Sequence, residues 1–242
     1  MRSQAFEDVP RVVVAHGSPD PRSAPVVRAL AERSGAAASF LEFDSPDPLT
    51  VLRDLAREGH QRACLVPLLL TNAYHARIDI PRIANEAREF INIDQAAPVG
   101  DLSHARALVV GLPECDGVVV GAAGTRIQAG RSHIENVAAE VQRLTGRAAR
   151  AAFATGEGPS LGDAVSQLRA QGARRVGVAL YFIAPGKLSD WAAASAWKAG
   201  ASFVGHPLGS SEEGSASLSS VMGSRFSTPN AVLVGSTTNS TV

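Results

Sequence analysis

The chain has 242 residues, 45% hydrophobic and 19% charged, enough for one large globular unit or two small ones with a real core. Its 23 Lys and Arg balance 23 Asp and Glu, so no global field points to nucleic acid or an anionic membrane, and any anionic ligand must be met by local cations. The two cysteines, Cys64 and Cys115, lie in or beside apolar runs without C-x-x-C spacing, which argues against a disulfide framework or thiolate metal cage and fits a reducing compartment.

The first residues, MRSQAFEDVPR, lack the apolar core of a signal peptide, and no apolar stretch approaches the roughly 18 residues needed to span a bilayer. A cytoplasmic protein is expected. Strand-type runs are predicted at Arg11 to Ala15, Ala38 to Glu42, Ala63 to Leu70, Val118 to Gly121, Arg150 to Ala154, Arg175 to Phe182 and Ala201 to Val204. Helical stretches fall between them, such as Ser23 to Ser34, Pro48 to Gly59, Ile80 to Phe90, Ile134 to Thr145 and Leu161 to Gly172. Such alternation predicts a doubly wound, parallel α/β fold.

The chain also resembles itself. VVVAHGS (12 to 18) is similar to VVVGAAGT (118 to 125), and residues 48 to 75 align without a gap on 160 to 187. Two similar doubly wound domains follow, the first over residues 10 to 112 and the second over 113 to 208. From 209 to 242 the sequence is rich in Ser, Gly and Thr, and reads as a disordered tail. A short helix at Leu218 to Phe226 and a strand at Ala231 to Val234 are the exceptions its pattern allows.

Duplication supplies an internal control. Aligning HGS with AGT sets Ala123 opposite His16; the gapless stretch sets Lys187 opposite His75 and, extended backward, Ala154 opposite Glu42. The imidazoles and the carboxylate suited to a metal therefore occur in the first half alone. His16 follows the first strand and His75 the third, where a doubly wound sheet builds its ligand crevice. Two neutral imidazoles and a carboxylate suit a borderline ion such as Fe²⁺, Co²⁺, Ni²⁺ or Zn²⁺ with open positions for another ligand. Taken singly, each residue is equally compatible with a solvated turn or strand end; His60, His104, His133 and His206 read as structural or solvated. Arg22, Arg77 and Arg126 stand near the strand ends as candidates for pairing with substrate carboxylates, and Ser18 and Gly17 as groups at the mouth of the site. A Ser18–His16 hydrolase lacks the G-x-S-x-G elbow, and a dinucleotide site lacks G-x-G-x-x-G in the AHGSPDP turn.

VVVAHGSPDPRS followed by LVPLLLTNAYHARIDIP resembles the CbiX/SirB family of sirohydrochlorin chelatases, class II tetrapyrrole chelatases, in their long form of two similar domains. The resemblance covers about residues 10 to 208. It implies a lyase, a ferrochelatase or cobaltochelatase, that inserts Fe²⁺ or Co²⁺ into sirohydrochlorin, an octacarboxylate, for siroheme or cobalamin. The family's two metal-binding histidines, which also assist deprotonation, map onto His16 and His75. Glu42 is expected to orient an imidazole or accept a proton, and Ser18, Arg22, Arg77 and Arg126 to face the substrate. No ATP or organic cofactor is implied; the divalent metal and the tetrapyrrole are the partners. A carrier of metal or tetrapyrrole without turnover is the alternative. One departure is that family members continue with a helix where this chain turns polar after Leu208.

Overall fold

The β-branched run RVVVA becomes β1 (Arg11–Ala15), with four of its five residues buried. The computed structural model describes residues 9–72 and 75–228. Along the first half follow α1 (Ser23–Arg33), β2 (Ala37–Phe40), α2 (Pro48–Arg57), β3 (Arg62–Pro67), a π-helical turn (His75–Asp79), α3 (Ile80–Ala87), β4 (Asn92–Gln95) and α4 (His104–Val110). The second half runs through β5 (Gly117–Ala122), α5 (Gln128–Thr145), β6 (Ala148–Phe153), α6 (Leu161–Ala170), β7 (Val176–Tyr181), α7 (Lys187–Lys198), β8 (Phe203–Pro207) and α8 (Glu212–Ser227). Local chemistry sets several starts: Asp47 caps α2 by accepting from the Thr50 N–H, and Ser160 and Asp163 form a reciprocal capping box on α6.

Two parallel four-stranded sheets result, ordered β2-β1-β3-β4 and β6-β5-β7-β8. In both, the chain reverses its direction of travel across the sheet between the first strand and the third, which pair directly: Val12 lies beside Leu65, and Val119 beside Val178. The reversal opens a crevice above the carboxyl ends of those strands.

The halves share a core. One cluster of buried side chains runs from Val13, Val27 and Leu30 through Val120, Ile134 and Tyr181. The last helix of each half packs across onto the other: α4 lies against α5 and β7, while α8 lies against α1, α4 and β3. This exchange packs the two halves against each other.

The disordered tail expected over residues 209 to 242 is corrected over Glu212–Ser227, which form α8, a longer version of the short helix allowed at Leu218 to Phe226; residues 229–242 lie outside the described residues. Leu218, Met222 and Phe226, four residues apart, form one buried stripe, and Ser211 caps the helix by accepting from the Gly214 N–H. The remaining Ser and Gly hid the helix in composition, but small side chains let it lie close to α1 and α4. Polar contacts fix it further: His104 shares a hydrogen bond with Ser217 Oγ at 2.7 Å, and Arg225 pairs with Asp101 at 3.3 Å. The strand considered at Ala231 to Val234 lies outside the described residues. β4 escaped the sequence pattern because NIDQ has a single apolar residue on an edge strand.

Candidate active site

β1 ends at Ala15, and the next residue, His16, stands over the sheet at the chain reversal. Gly17 then turns with φ +88°, and a Cβ there would sit 1.8 Å from the Glu42 carbonyl oxygen, so only glycine lets the two strand ends close. Gly124 repeats this in the second half, φ +104°, against Thr155. The Glu42 N–H donates to the His16 carbonyl, and the Thr155 N–H to the Ala123 carbonyl. Backbone pairing therefore sets Thr155 opposite Glu42, correcting Ala154 by one residue. The contrast survives, because Thr155 brings no carboxylate.

His75 opens the π-helical turn that leads into α3, held from beneath by buried Ala76 and Ile80. Single π turns inside helices often mark functional sites. Here Pro81, just inside α3, offers no N–H to the carbonyl four residues back, which favours irregular winding. The turn brings the His75 ring edge-to-face against His16, centroids 4.4 Å apart and planes at 81°. Residues 59 apart in sequence thus meet, as expected.

Each ring is oriented by an acceptor on Nδ1. His16 Nδ1 lies 3.0 Å from the Gly17 carbonyl oxygen, and His75 Nδ1 lies 2.7 Å from Asp79 Oδ2. Because these partners only accept, Nδ1 carries the proton and the neutral ring keeps its lone pair on Nε2. Nε2 is then the ring atom able to coordinate a cation or take a proton.

Asp79 takes the orienting position assigned in sequence to Glu42. Its signal was present as a His–Asp pair four residues apart, legible only if the segment were known to be helical. Glu42 is exposed and lines a small neighbouring cleft of about 220 Å³, which it shares with Asp79 and Asp47. Among the described residues, no group of three or more His, Cys, Asp or Glu side chains is placed to hold a metal ion. His16 and His75 are thus brought together as a pair, with Asp79 beside His75.

His16, with His75 packed against it, borders a cleft of about 510 Å³ walled by both halves, a size usual for small-molecule sites. Its lining is largely apolar and includes Leu68, Leu70, Phe153 and Phe182 together with the exposed Phe43 and Trp191. Ser18 lies inside it; its N–H donates to Asp44 and its hydroxyl accepts from the Asp20 N–H at 3.2 Å.

Arg22 does not face the cleft. Its guanidinium bridges Asp20 and Asp190, each at 2.6 Å, tying the start of α1 to α7 across the two halves. The hydrogen bonds from Arg22 hold the Asp20 carboxyl down to about 2. Arg22 is thus a strap between halves, because two carboxylates already outnumber its charge. Arg77 and Arg126 are exposed and make no ion pair among the described residues. The cation that does line the cleft is Lys187, at the start of α7. Sequence reading used it only as the counterpart of His75.

The sequence pattern of the CbiX family matches residues 10–111 and 117–219, once in each half. No curated protein matches the chain in sequence. SirB from Bacillus subtilis, solved with Fe³⁺, superposes with a TM-score of 0.76 at 21% identity, over 91% of this chain and 95% of that one. SirB from Bacillus subtilis subspecies spizizenii in complex with cobalt gives 0.72 at 18% identity, over 90% and 94%. CbiX, the terminal enzyme for biosynthesis of siroheme in denitrifying bacteria, gives 0.64 at 20% identity, over 89% and 98%. These likenesses establish a common fold, and the paired match of the family pattern over both halves establishes more: the chain belongs to the CbiX family.

Proposed function

We propose that this protein inserts Fe²⁺ or Co²⁺ into sirohydrochlorin, a lyase reaction serving siroheme or cobalamin synthesis. The observation that carries the reading is the edge-to-face pair of His16 and His75, each ring oriented through Nδ1, with His16 lining a cleft between two CbiX-type halves. The metal complexes of the SirB relatives support it.

Insertion exchanges two pyrrole N–H protons for one M²⁺, so the site must hold a partly dehydrated ion and accept protons on the same face. Imidazole does both. In this reading His16 and His75 bind the incoming ion through Nε2, and as the ion passes to the macrocycle one of them takes the two pyrrole protons in turn and relays each toward solvent. Asp79 steadies the His75 imidazolium, and Glu42, across the small cleft from Asp79, receives the proton on its way to solvent. The apolar walls hold the macrocycle and exclude water. Lys187, Arg77 and Arg126, with the Ser18 hydroxyl, meet its carboxylates at the rim.

No helix among the described residues is long and apolar enough to cross a membrane. Catalysis and carriage are separated by an anaerobic optical assay with metal-free sirohydrochlorin, Fe²⁺ or Co²⁺ and substoichiometric protein. Many equivalents converted per protein, faster than without protein, establish a chelatase. Conversion that stops at one equivalent establishes a carrier.

A further inference from the structure

The same backbone position in the two halves carries opposite residues. With Glu42 and Thr155 equivalent by their hydrogen bonds to His16 and Ala123, the next residue is Phe43 in the first half and Gly156 in the second. Both have left-handed backbones, φ +64° at Phe43 and +84° at Gly156. The fold therefore needs a left-handed residue here, and glycine is the residue that meets that need without steric cost. A bulky residue at positive φ is an outlier that only its side chain can justify.

Packing does not justify it. Phe43 is 63% exposed, and its ring centroid is 6.2 Å from that of His16, with planes tilted by 31°. The ring instead lines the cleft beside His16, and Trp191 of the other half, 61% exposed, lines the same cleft. Two large exposed aromatics, one from each half, leave a flat apolar ligand as the group that would cover them.

We propose that Phe43 is a substrate-positioning residue whose ring stacks on the tetrapyrrole and holds its pyrrole nitrogens over His16, the first half keeping a strained backbone to present it. The inference rests on the chelatase reading for its ligand. It predicts a residue that contributes to macrocycle binding and little to stability.

The test compares wild type, Phe43→Gly and Phe43→Tyr for affinity toward metal-free sirohydrochlorin, for KM and kcat of metal insertion, and for thermal unfolding. Phe43→Gly is expected to weaken macrocycle affinity about tenfold, in keeping with stacking on an aromatic ring. KM should rise with it while the melting temperature stays within a few degrees of wild type, and Phe43→Tyr should restore affinity. A merely structural role would lower the melting temperature of Phe43→Gly and leave macrocycle affinity unchanged, and either equal affinities or a failed Tyr rescue would overturn the assignment. The two readings fail separately. Wild type that binds the macrocycle without turnover ends the chelatase reading, yet a tenfold affinity loss in Phe43→Gly would still support Phe43. Wild type that does not bind it overturns both.

Discussion

Asp79 accepts a hydrogen bond from His75 Nδ1 at 2.7 Å across the π-helical turn, and both side chains are partly buried. Partners of this kind fix the tautomer of a metal-binding histidine, and their loss typically lowers affinity or activity about 10–100-fold. Asp79→Ala should reduce metal insertion by about that factor, while Asp79→Asn, which still accepts the bond, should recover part of it. Steady-state kinetics at saturating macrocycle checks this; equal loss in both variants would show that the carboxylate charge, rather than the tautomer, matters.

Arg22 and Lys187 make a paired prediction. The Arg22 strap between Asp20 and Asp190 is exposed, and exposed ion pairs contribute about 0–1 kcal/mol. Arg22→Ala should therefore leave the melting temperature and the KM for macrocycle close to wild type. Lys187→Ala, which removes the cation lining the cleft, should raise KM several-fold with little change in kcat. The reverse ranking would return Arg22 to the carboxylate-binding role first expected from its place after HGSPDP.

Leu218 is fully buried at the centre of the α8 stripe. Leu218→Ala should cost about 2–5 kcal/mol, as for large-to-small core changes in general. Ser220→Ala, on the exposed side of the same helix, should shift stability by less than about 0.5 kcal/mol. Urea unfolding measures both, and equal small effects would mean that α8 does not dock.

Stability should fall in mild acid. Burial lowers the affinity of His104 and His133 for protons in the folded protein, and His104 adds repulsion at His133. Below about pH 6.5 the unfolded chain protonates these groups first, so it binds more protons than the folded one and stability declines as pH falls. The decline runs from about pH 6.5 down to the lowered folded values, then ends. Melting temperatures at about pH 7.5 and 5.5 should show the loss in wild type, and a smaller one in His133→Gln, which keeps a partner for the Tyr181 hydroxyl. An unchanged or rising melting temperature toward acid would contradict it.

Much of the fold was legible because buried parallel strands announce themselves: RVVVA and GVVVGA are continuous apolar runs, and the repeat of AHG as AAG located the second sheet. The histidine pair was legible for a topological reason, since both residues follow strands that flank the chain reversal. What stayed hidden depended on tertiary packing. The pattern allowed only the Leu218 to Phe226 part of α8, because one narrow apolar stripe among serines gains its full meaning when α1 and α4 lie beside it. Asp79 gained its role through a helical turn whose winding the sequence does not announce, and Arg22 lost its expected role to Asp190, 168 residues away. The strain at Phe43 was invisible in one dimension, where Phe and Gly at that position look like ordinary divergence.

The measurement that tests the central claim most directly is metal insertion by wild type beside the His16→Ala/His75→Ala double variant, followed optically with sirohydrochlorin and Fe²⁺ or Co²⁺ under anaerobic conditions, with unfolding curves to verify both folds. The account predicts turnover in wild type and, in the double variant, a drop of at least about 100-fold toward the rate without protein, with the fold retained. Comparable turnover in the two proteins would contradict it.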